Sequence, residues 1–282
     1  MSKSAWIDDP ISLLRVGKGF RLRDVDPDST PGFAGKKSDG EKLLAAESSA
    51  IGDAQERLYA NRNVTNRSIL LVLQAMDTAG KGGIIRHVVG AADPQGIALH
   101  AFKAPTRAEK RHDFLWRVRR QLPTPGYIGV FDRSHYEDVL IHRVRGLSRP
   151  EVIEERYGLI RDFEAELAAS GTTLIKVMLQ ISSDEQKSRL AARLDDPAKH
   201  WKFNPGDIDE RGRWDAYQEA YQVALTRTST DAAPWYVVPA NRKFYARIAV
   251  QRLLLDALTS FELQWPVASF DVEAEKKRLS ES

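Results

Sequence analysis

Residues 70–83 read LLVLQAMDTAGKGG, a stretch close to the phosphate-binding pattern G-x-x-x-x-G-K-[ST]. Two positions depart from it. Ala75 stands where the first glycine belongs, and Gly82 where a serine or threonine would help hold magnesium. Asp77 places a carboxylate inside what should be an anion cradle. The surroundings favour the loop. Ser68–Gln74 is a nearly continuous apolar run, the pattern of a strand buried on both faces. After the glycines, GIIRHVVGAA reads as a helix. A turn from a buried strand into a helix points free backbone N–H groups and the positive end of the helix dipole at an anion. Ala79, Gly80, Lys81, Gly82 and Gly83 are therefore candidate phosphate contacts, with Lys81 bringing a flexible positive charge.

Strands and helices alternate outward from this point. Residues 1–40, with Pro10, Pro27 and Pro31, read as an irregular arm with little core of its own, and 41–62 as a helix. Further strands are expected at Ile97–Phe102, Tyr127–Phe131, Thr172–Ile181 and Trp235–Pro239. Thr106–Gln121 and His135–Val144 read as helical. Ser148-Arg149-Pro150-Glu151 reads as a capping box opening a helix that runs to about Ser170, with Gly171 as its stop. SSDEQKSRLAARLDD reads as a capped helix and PAKHWKFNPGDID as irregular. Helices over Glu210–Leu225 and Phe244–Phe261 complete the chain. The alternation predicts an α/β fold: a five-stranded, mostly parallel sheet with helices on both faces, three layers in one domain over residues 41–282.

The 282 residues are 42% hydrophobic and 29% charged, as in globular proteins, and include no cysteine. Disulfides and thiolate metal sites are thereby excluded, and a reducing cytoplasm suits the composition. MSKSAWIDDP lacks the apolar core of a signal peptide, and no apolar run approaches the roughly 20 residues of a membrane helix. A soluble, cytoplasmic protein is expected. Net charge is only +3, but Lys103–Arg145 holds ten Lys or Arg against five Asp or Glu. Such a run is either a set of solvated helix faces or a channel for a polyanion.

Asp77 requires a reason. It either caps the following helix or, with a cation between it and the phosphates, helps hold Mg²⁺, which prefers carboxylates, phosphate oxygens and retained waters. A partner carboxylate stands in FDRS: Asp132 closes the third expected strand, and Arg133 could grip a phosphate with two donors. For Asp77 and Asp132 to share a metal, that strand must lie beside the first.

Taken together, these segments resemble the P-loop polyphosphate kinases known as the polyphosphate kinase 2 family. The resemblance runs from about Lys42 to Leu263. It includes LLVLQAMDTAGKGG, RHVVGAADPQG, FKAPT, HDFLWR, IGVFDRSHYEDVL, DPAKHWKFNPGD, WDAYQEAY and TSTDAAPWYVVPANRKFYARI. It implies a nucleotide-kinase-like sheet order and a helical lid at about residues 183–212. The family moves the terminal phosphate of inorganic polyphosphate reversibly to a nucleotide with Mg²⁺. The acceptor expected here is ADP, with GDP or AMP as further candidates. The resemblance puts the metal-holding aspartates at Asp77 and Asp132, the loop lysine at Lys81 and a catalytic arginine at Arg133. The lid arginine falls on Arg189, with Arg193, Lys199, Lys202 and Lys103 as further phosphate contacts. A homodimer or homotetramer is implied, with neither nucleic acid nor membrane as a partner. The local chemistry leaves two alternatives, an ATP-dependent nucleotide kinase and a non-catalytic polyanion-binding protein. The basic run favours a polymer over a single triphosphate.

Overall fold

The computed structural model describes residues 6–282, so residues 1–5 of the expected arm lie outside the described residues. Five parallel strands, β1 (Ser68–Ala75), β2 (Ile97–Ala101), β3 (Ile128–Asp132), β4 (Thr172–Gln180) and β5 (Trp235–Pro239), form one sheet in the order β2-β3-β1-β4-β5. All eight residues of β1 are buried, and its side chains alternate between two apolar layers. Ile69, Leu71 and Leu73 face one layer, while Leu70 and Val72 face the other. The first layer is closed by helices α1 (Lys37–Ala60), α2 (Lys81–His87) and α7 (Lys243–Thr259). The second is closed by α3 (Pro150–Ala169) and α6 (Trp214–Thr228). Between β4 and α6 lie α4 (Ser183–Leu194), a 3-10 turn over Pro197–Lys202 and α5 (Gly206–Arg211). The three-layer α/β sheet is therefore the one the alternation predicts.

Local signals explain where elements begin. Thr124-Pro125-Gly126-Tyr127 is a type II turn: Tyr127 N–H donates to Thr124 O at 3.1 Å, and Gly126 takes φ +87°. A Cβ on Gly126 would lie 2.2 Å from Arg62 Cβ, so this turn into β3 demands glycine twice over. Ser182 caps α4 by accepting from Glu185 N–H, and Gly171, at φ +101°, ends the stretch behind α3 as expected.

Other expectations fail for identifiable reasons. Thr106–Gln121 is not one helix but a 3-10 turn (Glu109–Arg111) and a short helix (Trp116–Arg119). The Asp113 carboxylate accepts from Leu115 N–H and His112 is extended, which breaks the run between them. His135–Val144 likewise divides into a 3-10 turn (His135–Asp138) and one helical turn (Ile141–Val144). The capping box at Ser148 does not form: the N-cap is Arg149, without a side-chain cap, and Ser148 Oγ binds His142 Nδ1 at 2.8 Å instead. PAKHWKFNPGDID is partly helical, and a further exposed helix, Val272–Ser280, follows the expected last one.

The N-terminal segment packs onto the domain. Leu14, Val16, Leu22 and Phe33 are buried, Val16 N–H donates to Trp235 O at 2.8 Å, and Asn241 N–H donates to Pro27 O at 3.1 Å.

Candidate active site

β1 and β3 are neighbours, with Leu73 opposite Asp132. The condition for Asp77 and Asp132 to share a site is thus met by topology. Their loops leave the carboxyl edge of the sheet, where ligands of open α/β sheets bind. Each loop holds a non-glycine residue at positive φ, Thr78 at 67° and Arg133 at 63°. Backbone strain of this kind, about 1–3 kcal/mol per residue, persists where surrounding contacts enforce it.

In the first loop, Gly80 at φ +121° is the N-cap of α2 and carries no side-chain cap. Asp77 forms no capping bond, so capping does not explain it. Its Oδ1 accepts from Arg133 Nη2 at 3.0 Å, across the two loops. Lys81 Nζ rests on Ala75 O at 3.2 Å, at the mouth of β1. Around Gly82 a Cβ would meet nothing within 4 Å, so the helix start is open on that side.

In the second loop, Arg133 N–H donates to Leu73 O at 3.0 Å, and Ser134 Oγ accepts from Gln74 Nε2 and Tyr136 N–H. These bonds fix the turn after β3. Asp132 Oδ1 is buried and has no hydrogen-bond partner among the described residues. An orphaned carboxylate oxygen is costly, about 1–3 kcal/mol, unless a ligand completes it.

Asp77, Arg133, Glu137, Arg145, Asp207 and Glu210 line a cleft of about 170 Å³. The last two come from α5, which closes the cleft from the far side. Burial pushes the Glu137 carboxyl up, opposed by the charges of Arg133 and Lys81. Burial and the nearby Asp77 push Asp207 up, opposed by Arg193. Glu210 is held by Arg145 and by the Tyr217 hydroxyl. Sequence reasoning missed Glu137, Arg145, Asp207 and Glu210. Glu137 follows Asp132 by five residues, and recognising the short turn after β3 would have placed it in the cleft.

The remaining expected residues divide. Arg193 Nη1 reaches Lys202 O at 3.2 Å and Asp207 Oδ2 at 3.5 Å, which ties it to the cleft wall. Lys103 is exposed, Lys199 pairs with Asp196 at 2.7 Å, and Lys202 lies over the exposed Trp201 ring at 4.8 Å. None of these three lines the cleft. Arg189 departs furthest from expectation. It is buried, and every one of its donors is engaged within the protein, so it presents none to a phosphate. The basic run is also less free than its composition implies. Arg117, Arg119, Arg133, Arg143 and Arg145 pair with Asp138, Glu166, Asp77, Glu219 and Glu210. Lys103, Arg107, Lys110, Arg111 and Arg120 form no ion pair among the described residues and remain available to an anion. The His112 ring stacks on Trp116 at 4.0 Å.

Behind the β3 loop lies a buried polar network. Lys176 Nζ on β4 donates to Glu164 Oε2 at 2.6 Å, to Tyr136 Oη at 3.0 Å and to Thr228 O at 2.8 Å. Tyr136 Oη donates to Glu164 Oε1 at 2.8 Å, and His135 Nε2 approaches the same oxygen at 3.3 Å.

Residues 35–265 match the sequence profile of the family described as Polyphosphate kinase 2. The chain is 45% identical over 247 residues to an AMP/ADP-polyphosphate phosphotransferase of Meiothermus ruber, covering 88% of this chain and 91% of the relative. It is 40% identical over 274 residues to an ADP-polyphosphate phosphotransferase of Rhodopseudomonas palustris, covering 89% and 91%. A crystal structure of polyphosphate kinase 2 from Arthrobacter aurescens TC1 is similar with a TM-score of 0.96 at 59% identity, over 98% of each chain. A profile match over most of the chain, together with relatives matched nearly end to end, shows that the chain belongs to the polyphosphate kinase 2 family and is an enzyme of that kind.

Proposed function

We propose that this enzyme transfers the terminal phosphate of inorganic polyphosphate to ADP, forming ATP reversibly, with AMP as a second acceptor. The carrying observation is the pairing of an open phosphate loop on β1 with the orphaned Asp132 carboxylate on adjacent β3. Relatives acting on ADP, and in one case also on AMP, support the choice of acceptor.

Asp132 and Asp77 fit a magnesium ion. Both are carboxylates, Asp132 has an unpartnered buried oxygen, and Asp77 Oδ2 has no protein partner among the described residues. Two carboxylates would suffice, because Mg²⁺ completes its shell with waters and phosphate oxygens. When bound, Mg²⁺ neutralises phosphate charge and orients the phosphates. In the reaction one P–O bond of the polymer breaks as one to the nucleotide's terminal phosphate forms, and the shortened polymer leaves. The transition state spreads negative charge over the transferred group. Lys81 and Arg133 stand at the two loops to meet that charge, together with the free N–H groups at the start of α2. Lys81 must leave Ala75 O to do so. An acceptor phosphate has a second pKa of about 6 and is already ionised at neutral pH, so no general base is required. Arg193 and the segment Ser183–Arg211 form the lid, and the enzyme works as a cytoplasmic homodimer or homotetramer. No described helix is long and apolar enough to cross a membrane.

The test uses purified enzyme, long-chain polyphosphate, Mg²⁺ and ADP or AMP, with nucleotides followed by chromatography. ATP from ADP, absent without polyphosphate, is expected; phosphorylation driven only by added ATP would overturn the assignment. Lys81→Met should lower kcat about a hundredfold, the usual cost of one charge-stabilising donor. Near-parental turnover would remove Lys81 from the mechanism.

A further inference from the structure

α4 reaches the phosphate loop through two side chains three residues apart, on one helix face. Gln186 is 1% exposed and Arg189 8%. Gln186 Nε2 donates to Asp77 O at 3.2 Å, and Arg189 Nη1 donates to Thr78 O and Ala79 O, each at 3.0 Å. Three consecutive carbonyls of the loop are thus held from α4. Arg189 Nη2 donates to Ala240 O at 2.7 Å and Asn241 O at 3.0 Å in the loop after β5, and Nε to Glu185 at 2.6 Å. A guanidinium has five N–H donors, and all five are used.

A trans peptide points its C=O and N–H in opposite directions. Turning the carbonyls of Asp77 and Ala79 toward α4 therefore turns the N–H groups of Thr78 and Gly80 away from it. Neither N–H donates a hydrogen bond among the described residues. Thr78 is also the β-branched residue at positive φ, a conformation that needs external enforcement. The two features have one cause.

We propose that Arg189, assisted by Gln186, is a positioning residue for phosphoryl transfer: it sets the backbone of the phosphate loop so that its free N–H groups face the ligand. The proposal rests on the phosphotransfer reading of that loop. It also makes α4 and the loop one mechanical unit, so a displacement of α4 would reorient the donors. An arginine whose task is to grip phosphate would keep donors free, and this one has none.

The test compares the full-length enzyme with Arg189→Lys, Arg189→Met and Gln186→Leu. The first readout is hydrogen exchange without any substrate at the amides of Ala79, Gly83 and Ile84, which donate to Met76 O, Gly80 O and Gly80 O. Exchange there is expected to rise about tenfold in both Arg189 variants, while amides of β1 stay protected. Unchanged exchange would overturn the proposal, because a residue that only contacts phosphate leaves the substrate-free loop untouched. The second readout is kinetic. kcat should fall about a hundredfold, the cost of misplacing reacting groups by about an ångström, with KM for polyphosphate within about threefold of the parent. Lysine should not rescue, since one ammonium cannot reach four carbonyls in two loops. A raised KM with retained kcat, or rescue by lysine, would overturn the proposal. Should the Arg189 variants unfold, Gln186→Leu carries the same exchange test with one bond to the loop removed. Wild-type enzyme inactive with polyphosphate would defeat the functional assignment, while the exchange result would still decide whether Arg189 braces the loop.

Discussion

Asp132→Asn is expected to lower turnover with polyphosphate and ADP about a thousandfold, near 4 kcal/mol of transition-state stabilisation, while the protein melts at the parental temperature or slightly above. The asymmetry follows from the site. Asp132 closes β3 with one oxygen buried and unpaired, so in the free protein that oxygen lacks the hydrogen bonds that would offset its burial. Asparagine keeps the shape and removes the charge that a magnesium ion would require. The measurement is kcat over a Mg²⁺ titration, with a thermal melt and calorimetric Mg²⁺ binding in the presence of nucleotide on the same samples. A variant within about tenfold of parental kcat, or one that binds the ion unchanged, removes Asp132 from its role. Asp77→Asn should behave differently in one respect. It also takes the negative charge from Arg133's 3.0 Å partner and so weakens that pairing, and apparent phosphate affinity should hold better than turnover does.

Lys176→Met should cost about 3–5 kcal/mol of stability, because it strands the buried Glu164 carboxylate without its cation. Lys176 and Glu164 are 0% and 1% exposed, and the pair lies beneath the turn that carries Asp132 and Arg133. At about 2–4 °C per kcal/mol for a domain of this size, the melting temperature should drop by roughly 10 °C. Lys176→Met combined with Glu164→Leu should recover much of that loss, since apolar groups of similar volume can replace a buried ion pair. The double variant is compared with both single ones by thermal and urea unfolding; no recovery would mean that the hydroxyl and imidazole partners dominate the network. The pair also has an acid signature. Burial raises the Glu164 carboxyl, but Lys176 and His135 outweigh it and hold the group below its ordinary value of 4.5. The stability it contributes is therefore complete above that value in the unfolded chain, and is lost as pH falls through the lower value of the folded state. The wild type should show this loss on acid titration, and the double variant should not.

Much of this architecture was legible from local pattern. An eight-residue strand buried on both faces has to read as a continuous apolar run, and β1 does. The turn at Pro125-Gly126 announces β3 because one backbone conformation there excludes a side chain. The placement of FDRS after that strand followed directly. What stayed hidden depends on partners that carry no sequence signature. Arg189 is anchored by backbone carbonyls about 110 and 50 residues away, and a carbonyl looks the same in every residue. The failed helix at Thr106–Gln121 has a smaller cause: one Asp113 carboxylate preferred the backbone N–H of Leu115 to continuing the helix. Basic composition was likewise a poor guide to availability, because half of the basic residues from Lys103 to Arg145 are paired, four of them with carboxylates outside that run.

The family match begins at residue 35, yet Leu14, Val16, Leu22 and Phe33 are already part of the core, and Pro27 and Asp28 both bind Asn241. Asn241 in turn accepts from Ser182 N–H through its side chain and from Arg189 through its carbonyl. The opening segment lies like a guy-line, running from the outside of the sheet to the turn at Ser182 from which α4 departs. A shortened version trimmed to the matched residues would keep every motif and lose its tensioner, so similarity and mechanical integrity draw the edge of this protein in different places.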